Sequence, residues 1–234
     1  MKTPVEVTGR LAGGSFYLTL GQAIALLLGM VFSVVFARIL GPEDYGLVGI
    51  ALLYPSLLVN LTDLGLGGTI TRFSTIPSNH RNVYVWSGIT LRAIIAGIGG
   101  IVVYYLASNF AGILERPYIE SYIRILSLYT VSASILSILY GVYAGLGKYG
   151  TSAAITISQH ALKGILAIVF LYIGLRAYGV IMAYSIAYFV LSVIFLLQLI
   201  RKVKFAFAVK ETIEILIVAL PLYIAVICDV FLKP

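Results

Sequence analysis

The sequence has little charge and almost no cysteine. Only 11% of its 234 residues are Asp, Glu, Lys or Arg, whereas 61% are hydrophobic, and the mean hydropathy is +1.04. This composition excludes an ordinary soluble domain. The single cysteine, Cys228, excludes an internal disulfide.

The chain also lacks the residue patterns of enzymes and metal sites. It contains no GxxxxGK[ST] loop, no Cys/His spacing suited to a metal, and no Ser/His/Asp or paired-carboxylate arrangement. The net charge of +7 comes from basic residues at the ends of hydrophobic stretches rather than from a basic soluble module. We therefore expect no enzymatic activity, no metal, no cofactor and no nucleic-acid partner.

The chain is rich in hydrophobic stretches long enough to cross a bilayer. About 20 helical residues cross roughly 30 Å of hydrocarbon, so runs of this length predict transmembrane helices. The pattern predicts an all-α membrane protein, a six-helix transmembrane bundle followed by the start of a seventh span. The predicted spans are Ser15–Ala37, Tyr45–Leu61, Val83–Leu106, Ile119–Leu146, Ser152–Leu175, Tyr178–Ile200 and Ile213–Cys228.

Glycine and proline mark several of the predicted helix ends. The Gly-Pro-Glu-Asp turn at 41–44 closes the first span, and Glu-Arg-Pro at 115–117 precedes the fourth. After the second span comes a glycine-rich segment at 63–68, then a polar connector from Arg72 to Arg81. The glycine-rich segment has two interpretations, a broken helix that lines a cavity or a simple cap and turn.

Lys and Arg are distributed unevenly between the two sides of the predicted bundle, which predicts a multi-pass protein of the cytoplasmic membrane with its N-terminus in the cytoplasm. The nine inner residues are Lys2, Arg10, Arg72, Arg81, Lys148, Arg201, Lys202, Lys204 and Lys210. The three outer residues are Arg38, Arg116 and Arg176.

The order of the spans predicts three parts. Residues 1–200 form a six-span lobe, residues 201–210 a basic cytoplasmic linker, and residues 211–234 the first span of a second lobe. A second six-span unit would have the orientation of the first, which is the parallel-repeat plan of some transporters, with the site between the halves. A second lobe or another copy of the chain is therefore an expected partner.

Three cations, Arg92, Arg124 and Lys163, but only one comparably placed acid, Asp63, lie inside the hydrophobic stretches. A charge in the bilayer costs at least ~3 kcal/mol on insertion scales, so it usually faces a partner, a cavity or a substrate path. Because the cations outnumber the acid, the missing partner is expected to be an anion from outside the chain.

The fifth span carries the clearest polar face. Thr156, Gln159, His160 and Lys163 follow a helical spacing, and Lys163 lies about 16 Å from the cytoplasmic start of the span. We expect Lys163, with His160 and Gln159, to face a substrate. Two alternatives are that Lys163 snorkels or that Asp63 neutralises it.

Arg92 and Arg124 each have a functional and a structural interpretation. The planar fork of Arg92 suits phosphate, or it could donate to carbonyls in a packed bundle. Arg124 follows Glu120 by four residues, which is the favourable order for a local ion pair, so its structural role is preferred.

Four segments resemble one known family. They are Gly-Arg-Leu-Ala-Gly-Gly-Ser-Phe at 9–16, Ala-Arg-Ile-Leu-Gly-Pro-Glu-Asp-Tyr-Gly at 37–46, Asp-Leu-Gly-Leu-Gly-Gly-Thr-Ile-Thr-Arg at 63–72 and Ala-Leu-Pro-Leu-Tyr at 219–223. Together they resemble the polysaccharide-biosynthesis flippases, the Wzx-like transporters of lipid-linked oligosaccharides in the MOP (MATE-like) superfamily.

The resemblance implies two six-helix lobes around a central cavity, of which this chain would supply the first lobe and one further span. Such flippases move a polyprenyl-pyrophosphate-linked glycan from the cytoplasmic to the outer leaflet by alternating access. On this basis Arg92 and Lys163 would hold the pyrophosphate, and Arg72 would meet it at the cytoplasmic mouth. Asp63 or His160 would bind a coupling cation or proton, and the membrane lipid would hold the carrier's tail.

Three other functions remain open. A MATE-type exporter of organic cations would need acids in its cavity, and the interiors of the third to sixth spans carry none. The chain could instead be a non-transporting half-protein that needs a partner subunit. A membrane-embedded glycan polymerase or ligase would need a large external loop, whereas the outer loops here are short.

Overall fold

The computed structural model describes the backbone of residues 4–76 and 78–232 and the side chains of residues 13–76, 80–221 and 223. Lys2 lies outside the described residues, and Arg10 and Cys228 lie outside the described side chains. In the described part of the chain every regular element is a helix, which confirms the all-α prediction. The helices are α1 (Pro4–Leu61), α2 (Leu66–Phe73), α3 (Ser78–Ile113), α4 (Ile119–Gly145), α5 (Tyr149–Tyr172), α6 (Arg176–Ile200) and α7 (Val209–Leu232).

α1 is two helices joined by a sharp bend at Gly41. Gly41 has φ 76° and ψ 173°, a conformation that favours glycine, and Pro42 begins the second half without a backbone donor. The hydroxyls of Ser33 and Tyr45 lie 2.5 Å apart, whereas twelve residues of straight helix span about 18 Å. The chain therefore folds back at Gly41, and the predicted break is confirmed.

Within the residues that the structure describes, five helices are long and apolar enough to cross a membrane, namely α1 from Gly13, α3 from His80, α4, α5 and α6. Because α1 folds back at Gly41, its two halves and the other four long helices make six apolar helical segments. Leu26, Leu27 and Met30 on α1 are 63–66% exposed, as expected of a surface that faces lipid. The number of crossings, the orientation and the division at residues 200 and 210 stay predictions.

The region after the second predicted span differs from the expected connector. Arg72 lies inside the short helix α2, and α3 begins at Ser78, so the expected connector from Arg72 to Arg81 is mostly helical. Leu64 (φ 47°) and Gly65 (φ 72°) make the turn between α1 and α2. Of the two interpretations of the glycine-rich segment, the broken helix is confirmed.

The helices pack as one bundle. α4 contacts α3 and α6, α5 contacts α1 and α6, and α7 lies against α2 and α3. Two hydrophobic clusters fill the bundle, one around Phe36 and Ile123 and one around Leu139 and Ile215. The second cluster joins α7 to α3 and α4, so the last helix is part of the same packed body.

Small residues on α4 allow α2 to approach closely. A methyl group on Gly141 would lie 2.8 Å from Thr71 Oγ1 and 2.9 Å from the carbonyl oxygen of Gly67. We expect Gly141→Ala to destabilise the protein by about 1–3 kcal/mol, because the α2 backbone would have to move. The measurement is thermal unfolding of the detergent-purified protein.

Gly97→Ala is the matched control, since Gly97 lies inside α3 with nothing within 4 Å of its added methyl. Alanine there should stabilise the helix by up to about 1 kcal/mol. Equal changes in the unfolding temperature of the two variants would contradict the close contact between α2 and α4.

Candidate functional site

Arg92 is buried at the point where α1 ends. Its side chain is 1% exposed, and Nη2 lies 3.4 Å from Asp63 Oδ1. Nε donates to the carbonyl of Ser134 at 3.3 Å, Nη2 donates to that of Val59 at 3.2 Å, and Nη1 donates to that of Thr62. The carbonyls of Val59 and Thr62 belong to the end of α1, where no following turn of helix satisfies them.

This environment favours the structural interpretation of Arg92. The guanidinium donates to two carbonyls at the end of α1 and just after it, and to one inside α4, and it pairs with Asp63. The Thr62 hydroxyl also donates to the carbonyl of Val59, at 3.2 Å. Arg92 of α3 therefore helps to cap the broken helix. The pairing also bears on Lys163: among the described residues Asp63 pairs with Arg92 and not with Lys163, contrary to one of the two alternatives.

Lys163 lies in a separate cavity inside the lobe. The cavity has a volume of about 310 Å³ and lies between both halves of α1, α5 and α6. Lys163 Nζ lies 4.8 Å from the centre of the Tyr184 ring on α6, within the range of a cation–π interaction. Among the described side chains no carboxylate lies within 4 Å of this ammonium. The structure therefore stabilises the cation without neutralising it.

His160 lines the same cavity one turn before Lys163. Its Nδ1 is buried and, in the described part of the structure, has no hydrogen-bond partner. A methyl group on Gly29 would lie 3.1 Å from this nitrogen, so the glycine keeps the space beside it open. The hydrogen-bonded hydroxyls of Ser33 and Tyr45 complete the polar part of an otherwise apolar wall.

The predicted polar face of α5 divides between two cavities. Thr156 and Gln159 line a second space of about 260 Å³, together with Gln22 of α1 and Ser137 of α4. Lys163 does not line it. Helical spacing placed these side chains on one side of α5, but the neighbouring helices differ: α6 lines the cavity of His160 and Lys163, and α4 lines that of Thr156 and Gln159.

Arg124 forms the local ion pair that the sequence favoured. Its Nη2 lies 2.5 Å from Glu120 Oε1 on the same helix, and both side chains are partly exposed. The guanidinium also lies 5.4 Å from the Tyr104 ring centre on α3. This surface pair does not reach the Lys163 cavity.

Arg72 lies exposed in the last turn of α2. Three other cations, Arg81, Lys148 and Lys202, lie close to one another at the same end of the bundle: burial lowers the pKa of Lys148, and the charges of Lys202 and Arg81 lower it further. The end predicted to be cytoplasmic is therefore strongly positive, which suits anionic lipid.

The broken helix lines a third cavity of about 660 Å³. Its walls come from the turn after α1, the start of α2, one face of α4 and Tyr223 of α7. Tyr223 donates its hydroxyl to the carbonyl of Leu61 at 3.0 Å, another orphan acceptor at the end of α1. This cavity and that of Gln159 share Ser137 and Tyr140.

Sequence reasoning missed the tyrosines of these cavities. Tyr45, Tyr184 and Tyr140 line them but are not among the residues that the sequence singled out. A tyrosine placed mid-span on a helix that faces an uncompensated lysine is the signal that could have identified Tyr184.

A family model described as polysaccharide biosynthesis protein matches residues 11–232. No curated protein matches the chain significantly. The chain is similar to the solved structure of a MATE in the straight conformation, with 17% identity over 93% of this chain and 53% of that one, at a TM-score of 0.79. It is also similar to the Vibrio cholerae MATE transporter VcmN in the bent form, with 18% identity over 89% and 52% and a TM-score of 0.70.

A third similar structure is a MOP superfamily transporter from Pyrococcus furiosus, whose binding pocket is described as having reverse polarity that suggests a different function. Its identity is 17% over 90% of this chain and 52% of that one, and the TM-score is 0.73. At these identities the likeness concerns the fold. The chain spans about half the length of each of these transporters.

Proposed function

The chain belongs to the polysaccharide biosynthesis protein family, and we propose that it forms one lobe of a flippase that moves a polyprenyl-pyrophosphate-linked glycan across the cytoplasmic membrane. The family and the fold are those of membrane transporters of the MOP superfamily. The N-terminus faces the cytoplasm, so α2 and the cluster of Arg81, Lys148 and Lys202 lie at the leaflet where the cargo is loaded.

One observation carries the proposal: Lys163 is a cation in the membrane interior that has no acidic partner among the described residues. Arg92 and Arg124 each have such a partner. Burying an unpaired charge costs free energy. An anionic ligand that binds beside the lysine and neutralises its charge would offset that cost. In a membrane transporter of this family, the pyrophosphate of a lipid carrier is that anion.

The cavity around Lys163 suits the linkage between the glycan and its lipid. Its volume of about 310 Å³ is at the small end of ligand pockets, and most of its wall is apolar. His160 and the Ser33–Tyr45 hydroxyl pair offer hydrogen bonds beside the ammonium. The prenyl tail stays in the surrounding lipid while the head group crosses.

The other expected ligands take lesser parts in this proposal. Arg72, exposed on α2, is a first contact for the pyrophosphate at the cytoplasmic mouth. Arg92 supports the broken helix instead of touching the cargo. His160 is the candidate for binding a coupling proton, because Asp63 is already paired with the guanidinium of Arg92.

An exporter of organic cations is the main competing function, since the fold alone does not fix the charge of the cargo. Such an exporter needs an uncompensated acid in its cavity. Asp63 lines a cavity here, but the guanidinium of Arg92 neutralises it. The charges of the lobe therefore favour an anionic cargo.

Ligand-dependent stability separates the two functions. A ligand that binds only the folded state stabilises it by RT ln(1 + [L]/Kd), so polyprenyl pyrophosphate at ~100 Kd should add ~2.7 kcal/mol to the free energy of unfolding. We expect this stabilisation in the detergent-purified protein and none from tetraphenylphosphonium, a lipophilic cation. Stabilisation by the cation alone would contradict the flippase and support the exporter.

A further inference from the structure

We propose that the wall formed by Ser137 and Tyr140 of α4 is a separate subsite that binds the uncharged sugar nearest the lipid carrier. The inference rests on the proposed function and extends it: the pyrophosphate and the sugar are recognised by different cavities of the lobe. Lys163 binds the pyrophosphate in its own cavity, and the two cavities that share Ser137 and Tyr140 of α4 bind the sugar.

Ser137 and Tyr140 lie where these two cavities meet, at about 260 and 660 Å³. Ser137 is exposed within the bundle, and Tyr140 is half-buried. In the described part of the chain, Tyr140 accepts a hydrogen bond from Ser152 through its backbone carbonyl, and both Ser137 and Tyr140 line the cavities with side chains that carry a hydroxyl for a ligand. α4 thus presents a hydroxyl and a phenol, spaced three residues apart, to the walls of both cavities.

The groups around this pair are neutral donors and acceptors. Gln22, Thr156 and Gln159 lie on one side, and Asn60 and Thr71 lie on the other. Asn60 donates its amide to the carbonyl of Ser56 at 3.0 Å, which leaves its side-chain oxygen as an acceptor for a ligand.

Asp63, the charged side chain among the described residues of the wall, does not make it a cation site. Asp63 lines the cavity and is 34% exposed, and one of its carboxylate oxygens lies 3.4 Å from the buried guanidinium of Arg92. The pair is neutral overall, and its exposed member is a fixed hydrogen-bond acceptor. Among the described side chains no Lys, Arg or His lines either cavity, so this part of the wall offers no cation to hold a phosphate.

Uncharged sugars match this chemistry better than the other parts of the cargo do. A sugar presents several hydroxyls that need both donors and acceptors, and an apolar face of C–H groups that packs on an aromatic ring. The wall offers both kinds of group together with two rings, Tyr140 and Tyr223. A prenyl chain would leave these polar groups unsatisfied, and that loss is costly where water is excluded.

Paired ligands test the subsite in the protein reconstituted in nanodiscs. One ligand is polyprenyl pyrophosphate, and the other is the same lipid carrying one N-acetylhexosamine. The Kd of the sugar-free lipid divided by the Kd of the lipid with the sugar measures the sugar's contribution to binding. We expect Tyr140→Leu and Ser137→Leu each to reduce this ratio by about five- to tenfold, which corresponds to one lost hydrogen bond or stacking contact.

Matched controls are Tyr105→Leu and Ser108→Leu, which lie exposed on α3 and away from both cavities, and they should leave the ratio unchanged. Tyr140→Phe keeps the ring and removes only the hydroxyl, so it covers the case in which Tyr140→Leu does not fold. Lys163→Gln should weaken both ligands equally and preserve the ratio.

The outcomes separate this inference from the proposed function. If both lipids bind the wild type equally, or if the α4 variants keep the ratio, the sugar subsite is wrong and the flippase stands. If the sugar-free lipid does not bind at all, the proposed function fails and the subsite fails with it. Binding of tetraphenylphosphonium that Asp63→Asn abolishes would assign the wall to a cation and overturn the inference.

Discussion

Lys163→Gln is expected to weaken the binding of polyprenyl pyrophosphate by about 30- to 150-fold, or about 2–3 kcal/mol. Glutamine keeps most of the side chain's length and its ability to donate, so the variant removes chiefly the charge. The effect should be large because the ammonium lies in an internal cavity, where water screens a charge poorly. A binding titration of the lipid against the nanodisc-reconstituted protein measures this change in Kd.

The same variant should not reduce the stability of the ligand-free protein. Lys163 has no acidic partner among the described residues, and its cation–π contact with Tyr184 offsets only part of the cost of the charge. We expect the unfolding temperature of Lys163→Gln to equal or exceed that of the wild type. Unchanged lipid binding in this folded variant would remove the pyrophosphate site from the cavity.

Tyr184→Leu is a useful companion because it removes the ring beneath the ammonium and leaves the charge. A substrate-binding lysine should then still bind the lipid, with an altered affinity. A lysine retained only for packing against Tyr184 would show equal changes in stability for both variants and no change in lipid binding.

Arg92→Leu is expected to cause the largest loss of stability in the lobe, about 3–5 kcal/mol. It would leave Asp63 without its counter-ion and would remove the guanidinium donor from the carbonyls of Val59, Thr62 and Ser134. Asp63 is 34% exposed and gains partial hydration, so the lower end of the range is expected. Unfolding in detergent, followed by the signal of Trp86 or by circular dichroism, measures the loss.

The matched control is Arg124→Gln. Arg124 also pairs with a carboxylate, but it is 47% exposed, and surface pairs contribute about 0–1 kcal/mol. A loss in Arg124→Gln as large as in Arg92→Leu would contradict the structural role assigned to Arg92.

A double-mutant cycle with Asp63→Leu separates the ion pair from the carbonyl contacts. If the pair dominates, Arg92→Leu/Asp63→Leu should recover much of the stability that Arg92→Leu loses. If the capping of α1 dominates, the double variant should recover little. Lost lipid binding in a variant whose stability equals that of the wild type would instead return Arg92 to the substrate site.

Much of the fold was predictable because long apolar helices are a local property. The predicted second span ends at Leu61, the fourth begins at Ile119 and the sixth ends at Ile200, as the structure has them. The bend at Gly41 was also predictable, since glycine followed by proline breaks a helix in any surroundings. The short helix α2 was missed, because eight residues rich in glycine give only a weak helical signal and owe their conformation to packing against α4.

The candidate site was predictable only in part. Residue type and depth singled out Arg92, Arg124 and Lys163, because any charge in hydrocarbon requires an explanation. Spacing along one helix also identified the pair of Arg124 with Glu120, which needs no tertiary contact. The partner of Arg92 could not be assigned in the same way, since Asp63 is twenty-nine residues away in the sequence and adjacent only after α1 and α3 pack.

The sequence by itself determined that this is an all-helical membrane protein with more cations than acids inside its hydrophobic stretches. Hydrophobic length, helix breakers and residue type act locally, so each can be read without knowledge of the neighbours. Tertiary structure alone decided which cation is neutralised and which remains free. That choice depends on distances of a few ångströms between helices. It makes Arg92 a support for the broken helix, and it leaves Lys163 in a cavity where none of the described carboxylates pairs with it.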